Sequence, residues 1–422
     1  MQFHILSFEG PDEYARVGGL ATRVEGLAAA LAAAGVETHL WFVGDPDAPG
    51  HESRHGVRLH RWCQWLSRIH PLGVYHGEEA KRSDFTRSLP PRLQETLAPA
   101  LRAGGRAVVL AEEWQTADAV LRLDGLLRGS GLRGAATLLW NANNVFGFER
   151  IDWARLARAA TLTTVSRYMK HQMRRLGVNP VVVPNGLPPD AFASPERAAL
   201  GTFRRLLRGR SVLVKLARFD PSKSWLETIP ILVEMKRLGW KPLLFARGGA
   251  ESHGEEVRRA AAGAGLRSRS AILDRPGSAG LLAALQDPDA VDVVELRSHV
   301  DPQARRLLFR DASVVLANSG HEPFGLVGLE AMAAHGVACT GSSGEDYAVA
   351  GRNALVLETD DPAEFLGLYA GLRRSPVHER RLRAAGRATA ATYRWSEILD
   401  RVLLPRIELL RAPHDRDLER TA

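Results

Sequence analysis

The feature that most narrows the fold is a rhythm. A short apolar run, a glycine-bearing loop and a segment of helical period follow one another, and the cycle repeats along the chain. FHILSF (3–8) is short and mostly apolar. RVGGLATRVEGLAAALAAAGVE comes next, with Leu20, Val24, Leu27 and Leu31 at helical spacing and Gly35 where a C-terminal cap belongs. THLWFVG (38–44), AVVLAEE (107–113), ATLLWNAN (136–143), ATLTTVS (160–166) and PVVVPNG (180–186) continue the series. Near-continuous apolar runs of this kind suit strands buried on both faces of a parallel sheet.

The rhythm breaks at LPPDAFASPERAALG (187–201) and then restarts. SVLVKLARF (211–219), PLLFARGG (242–249), VDVVELR (291–297), ASVVLANS (312–319), VACTGSS (337–343) and NALVLET (353–359) form a second series. A chain of 422 residues is too long for one ordinary core, and about 200 residues per domain fits both series. The expectation is α/β, with two Rossmann-like, doubly wound parallel-sheet domains facing a cleft, at 1–187 and 188–394. The tail TYRWSEILDRVLLPRIELLR reads as amphipathic helix, and a helix over 395–412 is expected to pack back on the first domain. In open sheets of this type, ligands bind beyond the carboxyl ends of the strands.

Composition excludes several classes. Hydrophobic residues make up 45% and charged residues 25%, as in ordinary globular proteins. No window reaches ~18 uncharged apolar residues, so a spanning helix is not expected. MQFHILSFEG reads as a first strand and not as a signal peptide. The two cysteines, Cys63 and Cys339, lie far apart and fit a reducing, cytoplasmic setting. The net charge is +8, from 56 Lys and Arg against 48 Asp and Glu. Its arginines are scattered along helices, as in RRLLRGR (204–210), with no aromatic-rich basic stripe. Nucleic acid is therefore not an expected partner, and peripheral membrane contact is not the favoured reading.

Three segments carry chemistry. In HEPFGLVGLEAMAAHG (321–336), Gly325 stands where a helix begins, so the free amides of a first turn favour phosphate. Glu322 precedes the turn and can accept hydrogen bonds from sugar hydroxyls. Glu330 projects from the second turn and can reach a ribose diol. A sugar, a diphosphate and a ribose in one line fit that layout. In KLARFDPSKSW (215–225), Arg218 and Lys223 flank a turn and can stabilise a departing diphosphate without a metal. In RVGGLA (16–21), Gly18 and Gly19 let backbone approach a ligand. His321, beside Glu322, is a candidate on the sugar side.

These segments together resemble the retaining glycosyltransferases of the GT-B fold, the large family that includes glycogen, starch and sucrose synthases. HEPFGLVGLEAMA is similar to that family's paired-glutamate motif and ARFDPSK to its Arg…Lys diphosphate loop. VPNGL (183–187) is similar to its interdomain segment, RVGGLATRVEGLAAALA to its N-terminal glycine loop, and AEEWQTA (111–117) to a run in glycogen and starch synthases. The resemblance implies that Glu322 holds the transferred sugar, Glu330 the ribose, and Arg218 and Lys223 the leaving diphosphate. It implies that Gly19 and the backbone at Gly325 and Leu326 touch phosphate or sugar. It also implies transfer with retention, by front-face attack, without metal or other cofactor. Asn143-Asn144 aligns with a family pair that begins with histidine, and asparagine cannot serve as a general base near neutral pH.

The expected reaction moves a hexose from a UDP- or ADP-glucose-like donor to a sugar or small-molecule acceptor. The rival readings are an epimerase or phosphorylase on a similar fold, and a catalytically altered GT-B protein that binds nucleotide-sugars or polyanions. Three Asp-x-Asp triplets, at 45–47, 287–289 and 415–417, read as turn or surface features and not as metal sites. Trp114 and Trp225 read as packing residues, and 70–85 as an acceptor loop.

Overall fold

The computed structural model describes residues 1–285 and 290–410. The first series of apolar runs forms β1 (Gln2–Leu6), β2 (Glu37–Val43), β5 (Ala107–Glu112), β6 (Ala136–Ala142), β7 (Thr161–Thr164) and β8 (Val181–Val182). A hairpin with no apolar run to announce it, β3 (His51–Arg54) and β4 (Val57–Trp62), adds the edge. The strand order is β3-β4-β2-β1-β5-β6-β7-β8. All pairs are parallel except β3 with β4.

The second series forms β9 (Ser211–Leu216), β10 (Pro242–Arg247), β12 (Val293–Leu296), β13 (Val314–Ala317), β14 (Ala338–Thr340) and β15 (Leu355–Val356). A polar strand, β11 (Ser268–Ala271), joins them at the edge. The order is β11-β12-β10-β9-β13-β14-β15. Both sheets are doubly wound, as expected. Successive strands leave in opposite directions from β1 and from β9. The first switch point therefore lies between β1 and β5, and the second between β9 and β13. Loops diverge there, which opens room for a ligand.

The chain divides into two compact units, residues 1–186 with 393–422, and residues 187–392. In the first, the helix Gly19–Ala33 buries Leu20, Val24, Leu27 and Leu31 against the sheet. It ends at Gly35, whose φ of +77° and hydrogen bond to Ala32 close the last turn. The segment from Tyr393 belongs to the same unit. Trp395, Ile398, Leu399, Leu403 and Ile407 are buried with Val24, Leu27 and Leu31 in one cluster. Trp395 fits only because two residues lack side chains, since a Cβ on Gly26 or on Gly186 would overlap its ring. The expected helix over 395–412 is observed as Trp395–Ile398 followed by a π-turn, Leu399–Leu403, and further helical residues to 410. Residues 411 and 412 lie outside the described part.

The reading of 70–85 as a loop needs correcting. A helix runs from Glu78 to Arg102 with Pro90, Pro91 and Pro99 inside it. It buries Phe85, Leu89, Leu93, Leu97 and Leu101, a stripe at four-residue spacing. Only 70–77 is loop, and Lys81 clamps it: the ammonium donates to the Gly73 carbonyl at 3.0 Å, the Val74 carbonyl at 3.1 Å and the Tyr14 hydroxyl at 2.5 Å. No described helix is long and apolar enough to cross a membrane.

Candidate functional site

The second unit brings two sequence-distant candidates into contact. β9 delivers the chain to Arg218, and Asp220 folds the next residues by accepting from the Ser222 amide at 2.9 Å. Lys223 closes that 3-10 turn, Pro221–Lys223. β13 delivers the chain to Gly320 and Glu322 on the other side of the switch point. The Gly320 amide donates to the Ser222 carbonyl at 3.0 Å, stitching the loops together. Lys223 Nζ then meets Glu322 Oε2 at 2.5 Å, across 99 residues of sequence. Both side chains stay partly open, at 17% and 20% exposure.

Below them, Lys215 ties the ends of β9 and β13. Its ammonium donates to Asn318 Oδ1 at 2.7 Å and lies over the Trp225 ring. Burial pushes this lysine down to about 7. Trp225 is 1% exposed, and its indole donates to the Arg218 carbonyl at 2.8 Å. The Arg218 backbone is thereby fixed while its side chain is exposed.

Gly325 has φ +77° and starts the helix Leu326–Ala333. That left-handed turn puts the first-turn amides of Leu326 and Val327 at the end of β13, in the loop that carries Glu322. His321 is exposed at the loop tip. Glu330 lies elsewhere on the helix: it pairs with Arg305 at 3.3 Å and lines a small cavity of about 30 Å³ with Asp190, Pro302 and Arg306. Burial raises its acid, and Arg305 opposes that rise.

At the switch point of the first unit, the glycine loop is already engaged. Glu9 Oε2 accepts from the amides of Val17, Gly18 and Ala21 at 3.4, 3.0 and 3.1 Å. Its other oxygen accepts from the Tyr75 hydroxyl at 2.7 Å. An anion approaching Gly18 meets a buried carboxylate as well as amides. Glu9 is not a candidate from sequence, because a lone acid after a strand carries no spacing signal.

Asn143 is held by two acids at the end of β5. Its side-chain amide donates to Glu112 at 2.7 Å and its backbone amide to Glu113 at 2.7 Å. Glu112 also accepts from Arg23 at 3.0 Å and Asn141 at 2.8 Å. Asn143 Oδ1 is buried and has no partner among the described residues. Asn144 instead caps its own turn, accepting from the Phe146 amide at 2.8 Å. Burial pushes Glu113 up to about 8, with Glu112 nearby adding to the rise.

Asp45 and Asp47 form a turn, the Asp47 amide donating to Asp45 at 2.9 Å. The triplets at 287–289 and 415–417 lie outside the described residues. Among the described residues, no group of three or more His, Cys, Asp or Glu could hold a metal ion.

No family model matches the chain. A phosphatidyl-myo-inositol mannosyltransferase of Mycobacterium tuberculosis is 31% identical over 245 residues, which is 55% of this chain and 55% of that protein. The chain thus spans about half the length of the curated relative it matches. The similar solved structures cover nearly all of it. Sucrose-phosphate synthase from Thermosynechococcus elongatus superposes with a TM-score of 0.67 at 20% identity, over 98% of this chain and 100% of its own. HepE of Anabaena, solved with UDP and glucose, gives 0.63 at 14% identity, over 95% and 98%. An α,α-trehalose-phosphate synthase of Burkholderia xenovorans gives 0.60 at 14% identity, over 95% and 98%. The architecture is of the same kind, two parallel α/β units of eight and seven strands among the described residues. The chain has the GT-B fold, and the resemblance carried by its motifs is to the glycosyltransferases built that way.

Proposed function

We propose that the chain is a glycosyltransferase that moves a hexose from a nucleoside diphosphate sugar to a hydroxyl of a sugar or small-molecule acceptor. The observation that carries this reading is the Lys223–Glu322 pair at the second switch point, 2.5 Å apart on loops from different strands. A cation for the diphosphate and a carboxylate for sugar hydroxyls then stand side by side, where the transferred carbon has to sit. Lys223 and the exposed Arg218 stabilise the charge that develops on the departing diphosphate. The amides at Gly325 and Leu326 add a helix N-terminus aimed at the same charge. Glu322 takes the sugar hydroxyls, sharing the Lys223 ammonium with the phosphate oxygens.

The names of similar proteins support the class: a mannosyltransferase, a sucrose-phosphate synthase, a trehalose-phosphate synthase and HepE, which was solved with UDP. A uridine diphosphate hexose is the first donor to try. Two cations at the leaving group can neutralise its charge without a metal, and the resemblance of the motifs to retaining enzymes supports transfer with retention. Glu330 is the ribose ligand in this reading, and a donor then shares it with Arg305.

The test is a thermal-shift panel of UDP, ADP, GDP and dTDP with their hexose conjugates, in EDTA. A ligand at ~100 times its Kd stabilises the folded protein by ~2.7 kcal/mol. A thermal response selective for one base supports the reading and names the donor class. No response to any of them sinks it.

A further inference from the structure

The loop that presents Glu322 rests on a second segment, Ser343–Tyr347. The Tyr347 hydroxyl donates to the Gly325 carbonyl. The Ser343 hydroxyl accepts from the Glu322 amide at 2.8 Å. A Cβ on Gly344 would overlap the carbonyl oxygens of Glu322 and Pro323, so the two backbones touch directly. Glu345 is enclosed among these contacts. It is 5% exposed. Its Oε2 accepts from the Ser343 hydroxyl in a long contact, at 3.4 Å, the backbone amides of Ser343 and Glu345 also act on the carboxyl, and its Oε1 is buried without any hydrogen-bond partner among the described residues. The place where a Gly325 Cβ would sit is 2.6 Å from Glu345 Cγ and 3.3 Å from Glu322 Cγ. Two glutamate side chains therefore flank one glycine.

A carboxylate buried this way, with one oxygen unpaired, costs far more than the neutral carboxylic acid does. Ionising it beside Glu322 adds like-charge repulsion. We propose that Glu345 is a positioning residue: a neutral, buried carboxylic acid that props the Glu322 loop so that Glu322 meets Lys223 and the donor sugar. This rests on the glycosyltransferase reading above.

The titratable groups near Glu345 include Glu322 from the loop, with Lys223 beyond it, and Asp346 and Tyr347 from its own segment. Burial first, and the Glu322 charge second, push the Glu345 acid up to about 8. As pH rises through that value Glu345 ionises, repels Glu322 and loosens the Lys223–Glu322 pair. Donor turnover falls on that alkaline limb. A role confined to filling space would produce no such limb.

The experiment compares the full-length wild type with E345Q and E345A. Release of nucleoside diphosphate is followed from UDP-glucose, with GDP-mannose run alongside, between pH 6 and pH 9.5, and UDP affinity is measured by calorimetry. Glutamine keeps the shape and neutrality of the acid and cannot ionise. E345Q is expected to stay within about threefold of wild-type kcat at pH 7 and to lose the alkaline limb. E345A is expected to lose kcat about tenfold or more with the UDP Kd little changed. An alkaline limb in E345Q identical to that of the wild type overturns the proposal, as does full activity in E345A. A wild type that turns over neither donor and binds no UDP overturns it differently, by removing the reading on which it rests.

Discussion

At the scale of single residues, the site depends on a few charges held by backbone contacts. Lys223→Ala and Glu322→Ala are each expected to reduce donor turnover at least ~100-fold with the fold intact, since in the proposed reading Lys223 faces the charge on the leaving diphosphate and Glu322 holds the transferred sugar. Steady-state release of nucleoside diphosphate and circular dichroism check this, and full activity in both folded variants would show the site to be misplaced. Glu113 offers a prediction about stability. Burial holds its acid up to about 8, above its ordinary value of 4.5. Below the ordinary value, both folded and unfolded states carry the proton. Between there and about 8 only the folded state keeps it, so this group's contribution to stability is lost as pH rises. Each tenfold difference in proton affinity between the two states corresponds to ~1.4 kcal/mol. E113Q still accepts from the Asn143 amide and does not titrate, so its stability relative to wild type should rise from pH 5 to pH 8 in urea unfolding.

Legibility divides along the same line. Lys223 and Glu322 are readable because their segments have distinctive local chemistry, a cation after a capped turn and an acid before a glycine-started helix. Glu9, Glu112 and Glu345 are not, because their roles come from what tertiary packing brings to them. The sequence places Glu330 on a helix turn but says nothing of Arg305, which approaches from another helix.

At the scale of elements, glycine and proline have opposite diagnostic value. Gly325 is required by its backbone: φ is +77°, and an added Cβ would stand 2.6 Å from Glu345. Gly325→Ala should cost ~1–2 kcal/mol for the left-handed conformation alone, before the contact with Glu345 is counted. Denaturant unfolding, with the UDP response measured in parallel, checks it; unchanged stability would mean that the turn can refold around the methyl. Proline misleads in the other direction. Phe85, Leu89, Leu93, Leu97 and Leu101 carry a helical stripe, but Pro90, Pro91 and Pro99 break the local pattern that a reader trusts. Burial of the stripe outweighs the missing amide hydrogen bonds. The edge strands escape notice for a different reason. His51–Arg54 is mostly exposed and Ser268–Ala271 is polar, so neither shows the apolar run that marks the central strands.

At the scale of the whole molecule, the first unit is discontinuous in sequence and the second is continuous. Trp395 is 3% exposed and fills the space left by Gly26 and Gly186. Trp395→Ala should destabilise the first unit by ~3–5 kcal/mol, the usual range for emptying a buried aromatic site. Differential scanning calorimetry that resolves the units tests this; an unchanged transition for the first unit would mean that the returning segment contributes little to its core.

That discontinuity also sets an order of events on the ribosome. Residues 187–392 can close their core as soon as they emerge. The first unit, although made earlier, can pack Val24, Leu27 and Leu31 on its sheet but lacks the part of that core supplied by Trp395 and Ile407 until they leave the exit tunnel. Its nascent form therefore needs protection for longer than its place in the chain suggests, and a translational pause before residue 393 would prolong that exposure.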